Sequence, residues 1–269
     1  MSLSDVPEVL RRGRATHRHF VVTFDDAYTN IAGIADFLGS RKVVPTVFVN
    51  GAFCEGRPYF RVLAALLRDY GGGPALRAEL ASLIPNKEWS EKSDKLFDQT
   101  KDQYVAGLTE TAVAAAYNKT IGVAADLRCH LDAAELLTLR KRGWQIGNHT
   151  WEHLTLSALD DTTAADAIER NAAYLKDANL EPLDWLSYPN GLARHVSAGT
   201  KAWLDRNPTK HGLFAGGGIN LFYSRTQWLR ISLGNPDLQA FRRILAHNAF
   251  ASSRLATYLT DNAPTASAR

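Results

Sequence analysis

Short β-branched and aromatic runs alternate along this chain with longer segments of helical spacing, and few architectures accept that rhythm. HFVVTF at 19–24 and PTVFVN at 45–50 read as strands, and between them Ile31, Ile34, Ala35 and Leu38 fall on one face of a helix. A longer series follows: helix LDAAELLTLRKRG ending at Gly143, strand WQIGNH, helix TTAADAIERNAAYLKDANL, strand LDWLSYP, and a helix near 195–206. Strands GLFAG and WLRIS and a terminal helix from Asp237 complete it. Such alternation defines an α/β chain built as a parallel barrel or a doubly wound sheet. From about 58 to 128 the rhythm is interrupted by alanine- and charge-rich, helix-like sequence, including GGG at 71–73. The reading is one domain over 1–269 with a helical insertion there, and 45% hydrophobic residues in 269 supply its core.

Composition excludes several classes. A net charge of +3, with both signs mixed along the chain, carries no basic tract, so nucleic acid is not an expected partner. No run approaches the length of a membrane span, and the first twenty residues lack the apolar centre of a secretory signal, so the expectation is a cytoplasmic protein. The two cysteines, Cys54 and Cys129, are too far apart in sequence to write a disulfide framework or a thiolate zinc site.

The unusual polar residues recur at the carboxyl ends of the expected strands, where a parallel barrel collects its chemistry. Asp25 and Asp26 follow HFVVTF, His149 follows WQIGN, and Tyr188-Pro189-Asn190-Gly191 follows LDWLS. An Asp pair after a strand also suits a helix N-cap, and a lone histidine suits a hydrogen-bonded structural role; the coincidence of all three is what points to a site. His149 and His153, four apart, are expected to share one face of a helical turn and reach one cation, with a strand-end carboxylate completing an open set. Consecutive aspartates diverge, so one ligates while the other is free to act as a base. H-T-W-E-H also fits the H-x-x-E-H pattern of inverted zinc proteases, which needs a continuous helix through both histidines and leaves TFDD without a role. Two histidines and a carboxylate also suit non-heme iron oxygenases, whose folds are all-β.

These residues resemble the motifs of the polysaccharide deacetylases, carbohydrate esterase family four, also known for the NodB homology domain. T-F-D-D at 23–26 is similar to the first family motif, H-T-W-E-H at 149–153 to the H-S/T-x-x-H motif, and S-Y-P-N-G at 187–191 to R-x-P-Y-G. The resemblance implies a distorted parallel (β/α) barrel. It implies that Asp26, His149 and His153 bind Zn2+ or another divalent transition metal, that Asp25 is the general base, and that the backbone N–H of Asn190 helps to hold the oxyanion. W-L-R-I at 228–231 looks like a strand whose arginine tethers that base, nominating Arg230. The implied reaction is hydrolytic removal of an N-acetyl, or less often an N-formyl or O-acetyl, group from a sugar or polysaccharide, so the expected partner is an acetylated glycan.

Some positions depart from the family. Ala27 stands where a glycine is usual, Ser187 replaces the third-motif arginine, and Asn190 replaces its tyrosine. The family's general acid is a histidine in an L-x-H motif, matched here only by Leu245-Ala246-His247 inside a helical stretch; His195, beyond the Y-P-N-G turn, is the other candidate. Tyr188, Pro189 and Trp151 are the expected substrate contacts. These departures motivate an alternative, a noncatalytic carbohydrate-binding relative.

Overall fold

The computed structural model describes residues 1–12, 20–122, 127–217, 220 and 224–231. Six strands, β1 (Thr23–Phe24), β2 (Thr46–Val49), β3 (Gln145–Asn148), β4 (Trp185–Ser187), β5 (His211–Gly217) and β6 (Trp228–Arg230), form one sheet in sequential order. Every pairing between these strands is parallel, with Val47 opposite Ile146 and Phe48 opposite Gly147. A parallel sheet in sequential order winds one way, and here it curls into the half-barrel of a distorted β/α barrel.

Side-chain alternation sorts the layers. Phe48 of β2 points inward with Trp185, Leu213 and Trp228, and Leu3 from the N-terminal segment joins them to fill the half-barrel. Val47 and Val49 point outward onto the helices. Gly147 is required by this layering, because a Cβ there would lie 2.4 Å from the Phe48 ring. Each such aromatic or aliphatic side chain, taken from water to near-zero exposure, is worth about 1.5–3 kcal/mol.

The helices are α1 (Val6–Arg11), α2 (Ala35–Ser40), α3 (Gly51–Cys54), α4 (Phe60–Asp69), α5 (Gly73–Leu83), α6 (Ser93–Asp102) and α7 (Leu108–Thr120). They continue with α8 (Ala133–Lys141), α9 (Asp161–Asp177) and α10 (Ala198–Arg206). Their starts are written in the sequence. Asp132 accepts from the Glu135 N–H at 2.9 Å while Glu135 reaches back to the Asp132 N–H, a capping box that opens α8. Asp160 and Ser197 cap α9 and α10 through Thr163 and Thr200. Ahead of α2 the chain makes a 3-10 turn over Thr29–Ile34 in place of the expected helical start.

Helices α4 to α7 occupy the interval between β2 and β3. Their apolar faces, among them Leu63, Leu67, Leu76, Leu80, Leu96 and Val113, form one cluster that also takes in Tyr59 and Trp151. The terminal helix expected from Asp237 lies outside the described residues. No helix of the described residues is long and apolar enough to cross a membrane.

Candidate active site at the strand ends

The carboxyl ends of β1, β3 and β4 deliver their polar residues to one cleft of about 430 Å³, and Arg230 at the end of β6 reaches Asp25 on its wall. Asp25 and Asp26 leave β1 through a turn in which Asp26 (φ 66°) and Ala27 (φ 54°) are both left-handed. Ala27, fully buried, thus holds a conformation that costs an alanine about 1–2 kcal/mol and a glycine almost nothing, which accounts for the glycine usual at this position.

His149 and His153 do come together, but not on a helical turn. Residues 149–153 are an irregular loop in which Thr150 (φ 67°) and His153 (φ 55°) are left-handed. The loop is shaped by three buried asparagines. Asn50 Nδ2 donates to the carbonyls of His149 and Thr150. Asn148 Oδ1 accepts from the Thr150 N–H and from Asn171 Nδ2, each at 2.8 Å. Asn171 of α9 also donates to Val49 O and accepts from the Gly51 N–H. These amides replace the hydrogen bonds a helix would have made, so the four-residue spacing closes through turns. Without a helix the inverted-protease reading fails, and Glu152, its would-be base, is paired at the surface with Arg57 at 2.8 Å.

Asp26 Oδ1 lies 3.5 Å from His149 Nε2 and 3.5 Å from His153 Nε2, and one ligand atom of each residue lies within 4.8 Å of the others. Both Asp26 Oδ1 and His149 Nε2 are buried without a hydrogen-bond partner among the described residues. Burial, the largest effect, pushes Asp26 up to about 6 and His153 down to about 4, and it lowers His149 as well. The neutral His149 imidazole offers a lone pair, so Asp26 Oδ1 and His149 Nε2 face each other as acceptors without a partner among the described residues, and His153 Nε2 stands beside them. A tetrahedral centre with bonds of about 2.1 Å sets its ligand atoms about 3.4 Å apart, so the cluster fits a divalent cation.

Each outer ring nitrogen has a partner, and for His149 that partner fixes the tautomer. His149 Nδ1 is 2.8 Å from Ser187 O, which can only accept, so the proton sits on Nδ1 and Nε2 is free. His153 Nδ1 is 2.6 Å from the hydroxyl of Tyr59, at the entry to α4. Such outer partners orient ligating imidazoles. Tyr59 lies 94 residues from His153 in the chain, and nothing in its sequence surroundings marks it.

Asp25 is held differently. Arg230 grips it with Nη1 to Oδ1 at 2.8 Å and Nη2 to Oδ2 at 2.7 Å, a two-pronged contact. Arg230 Nη2 also donates to Ser187 Oγ at 2.8 Å, and Nε donates to Phe214 O. Burial raises the Asp25 pKa, but the summed attraction of His149 and Arg230 outweighs it and brings the carboxyl down to about 2. The two neighbouring carboxylates are therefore driven apart, one ionised and one poised to bind a cation.

Other expected site residues fall elsewhere. Asn190 (φ 60°) lines the cleft, and its side chain donates to Thr155 Oγ1 at 2.9 Å. Tyr188 does not: alternation along β4 turns Ser187 to Asp25 and Tyr188 outward, where its hydroxyl donates to Thr226 O and its ring packs on Phe214. Pro189 is buried and absent from the cleft wall. Trp151, expected to face substrate, is 4% exposed and points away, under Arg170 at 4.0 Å and against Tyr174. The loop's backbone imposes this, since the Trp151 N–H donates to Ala167 O on α9. His195 is buried, does not line the cleft, and has neither ring nitrogen hydrogen-bonded among the described residues. His247 lies outside the described residues. The cleft wall facing the cluster comes instead from the segment between β2 and β3: Tyr59, Arg61, Val62, Ala65, Leu66 and Phe97.

A parallel half-barrel carrying a candidate two-histidine, one-carboxylate cation site beside a clamped aspartate defines the class. The family comparison agrees with it: the polysaccharide deacetylase family model matches residues 87–202, a span that contains both histidines and the 187–191 turn. The resemblance read from the motifs stands, and over residues 87–202 the chain is similar to the polysaccharide deacetylases. Among solved structures, the Streptococcus pyogenes deacetylase PplD in complex with acetate superposes with a TM-score of 0.55 at 13% identity, covering 91% of this chain and 78% of its own. IcaB from Ammonifex degensii gives 0.52 at 12%, covering 91% and 80%. A de-N-acetylase from Aggregatibacter actinomycetemcomitans gives 0.53 at 11%, covering 91% and 82%. At these identities the likeness is one of fold. Curated protein sequences give no match.

Proposed function

We propose that this protein is a metal-dependent hydrolase that removes an N-acetyl group from a sugar or glycan, with Asp26, His149 and His153 holding Zn2+ or a similar ion and Asp25 acting as base. The observation that carries the reading is the division of labour between adjacent carboxylates: Asp25 clamped and ionised by Arg230, Asp26 aimed at the Nε2 atoms of two imidazoles. A purely binding site has no need of the first. When bound, a divalent cation supplies a Lewis acid that acidifies water and polarises the acyl carbonyl.

Asp25, ionised by Arg230, takes a proton from the attacking water, and a cation held by Asp26, His149 and His153 would make that water a better proton donor. The oxygen of that water bonds to the acyl carbon. The Asn190 N–H, which makes no hydrogen bond among the described residues, donates to the carbonyl oxygen as charge builds on it. Once protonated, Asp25 is a strong acid, and it returns the proton to the departing nitrogen as the C–N bond breaks, giving acetate and a free amine. Arg230 keeps Asp25 in one orientation throughout.

The test is acetate release from a panel of N-acetylated sugars, with metal content measured by elemental analysis. Asp25→Asn should keep its metal and lose roughly 10²- to 10⁴-fold in turnover. Full turnover in that variant removes Asp25 from the chemistry. Metal bound with no acetate from any sugar would move the assignment to a noncatalytic carbohydrate-binding relative.

A further inference from the structure

Arg61 is the one cleft residue whose charge the proposed reaction does not use. It stands at the start of α4, and its guanidinium carbon lies 3.7 Å from the centroid of the Phe97 ring, stacked on it. Nη1 donates to Phe97 O and to Thr100 Oγ1 of α6. A guanidinium has five N–H donors in a rigid fork, and the described hydrogen bonds involve Nη1 alone. No carboxylate lies within 4 Å of it among the described residues. Asp98 and Asp102 act on it from further away, and Asp102 is itself shared between Arg194 at 3.5 Å and Lys101 at 4.0 Å. The carboxylates of the cluster are also committed, Asp25 to Arg230 and Asp26 to the imidazoles.

A cation pinned by stacking, half-buried, unpaired and facing the same cleft as the reacting groups is prepared for an anion that offers two oxygens to its fork. The rest of that wall, Val62, Ala65, Leu66 and Phe97, is apolar and gives an anion no competing partner. We infer that Arg61 binds an anionic group, a carboxylate or a phosphate, carried on the substrate beside the acetylated sugar, so that the preferred substrate is an acidic glycan or a sugar phosphate and not a neutral one. This deepens the deacetylase reading and rests on it.

The experiment compares three substrates: a neutral N-acetylglucosamine oligosaccharide, an oligosaccharide alternating N-acetylglucosamine with a uronic acid, and N-acetylglucosamine 1-phosphate. They are assayed for acetate release with wild type, Arg61→Gln and Arg61→Lys, and binding is followed by calorimetry. Wild type should prefer one acidic substrate to the neutral one, and which of the two tells carboxylate from phosphate. Arg61→Gln should raise KM for that substrate by about 10- to 100-fold, the worth of a charge-assisted contact, with kcat and the neutral substrate little changed. Arg61→Lys, which keeps the charge without the fork, should recover part of the loss. Equal effects on neutral and acidic substrates would show a purely structural tie between α4 and α6 and overturn the inference. Should Arg61→Gln fail to fold, wild type carries the test, and equal use of neutral and acidic substrates overturns it. Acidic sugar bound through Arg61 without acetate release would sink the deacetylase reading alone, whereas acetate from every sugar with no dependence on Arg61 would sink this inference alone.

Discussion

Replacing Asp26 with Asn should stabilise the protein at neutral pH when divalent ions are stripped away, and destabilise it relative to wild type when zinc is restored. The Asp26 side chain is 14% exposed, and burial, then His149 and Asp25 acting in opposite senses, leave its pKa at about 6 against an ordinary 3.8. A carboxyl raised in the folded state favours folding while it is protonated. That contribution is complete below about pH 3.8 and is lost as pH rises through 6. The gap of about two pH units amounts to at most about 3 kcal/mol. Asparagine mimics the protonated acid and escapes the loss. Zinc at a thousandfold excess over its Kd adds about 4.1 kcal/mol to the wild type, more than the deficit, and little to a variant lacking one ligand. The assay is urea unfolding of both proteins at pH 4 and pH 7.5, with chelator and with zinc. In chelator the variant's advantage should grow from a fraction of a kcal/mol at pH 4 to about 3 kcal/mol at pH 7.5, and zinc should reverse the order. A variant no more stable than wild type in chelator at pH 7.5 would refute the claim that Asp26 is an unanswered buried charge. A wild-type transition that zinc does not move would refute the cation.

Two further changes probe the supports of the site. Tyr59→Phe removes the partner of His153 Nδ1 while keeping the ring in its cluster, and should weaken metal affinity by about 10- to 100-fold in a competition titration; unchanged affinity would make that contact incidental. Gly191→Ala forces a left-handed alanine (φ 59°) whose Cβ would sit 1.9 Å from that of Ala215, so it should lower the melting temperature, whereas an alanine at Gly39, inside α2 with nothing within 4 Å, should leave it unchanged or raise it.

Much of this architecture was legible because local chemistry and global fold agree. The β-branched runs became β2 to β6, and Asp132, Asp160 and Ser197 opened their helices as capping residues do. Strand-end placement also brought Asp25, Asp26 and His149 to one cleft. Backbone geometry that no residue type announces was not legible. His153 was expected on a helical turn, but Thr150 and His153 adopt left-handed angles that sequence would assign to glycine or asparagine, held there by Asn50, Asn148 and Asn171. That same loop turned Trp151 away from the cleft, and strand alternation did so for Tyr188. Tyr59 and Arg61 were invisible for another reason: they reach the site by the docking of helices between β2 and β3, and no spacing in the chain encodes that docking.

The three asparagines under the histidine loop have a consequence for constancy of shape. An amide carries no charge at any pH the protein meets, whereas the groups above it exchange protons and bind ions. Had a histidine or a glutamate tied His149 and Thr150 to α9, every change of charge in the cleft would have been felt in the position of the ligands. With Asn50, Asn148 and Asn171 in those places, the part of the molecule that changes charge is separated from the part that fixes distances. The cluster can therefore empty, fill and titrate while its frame stays still.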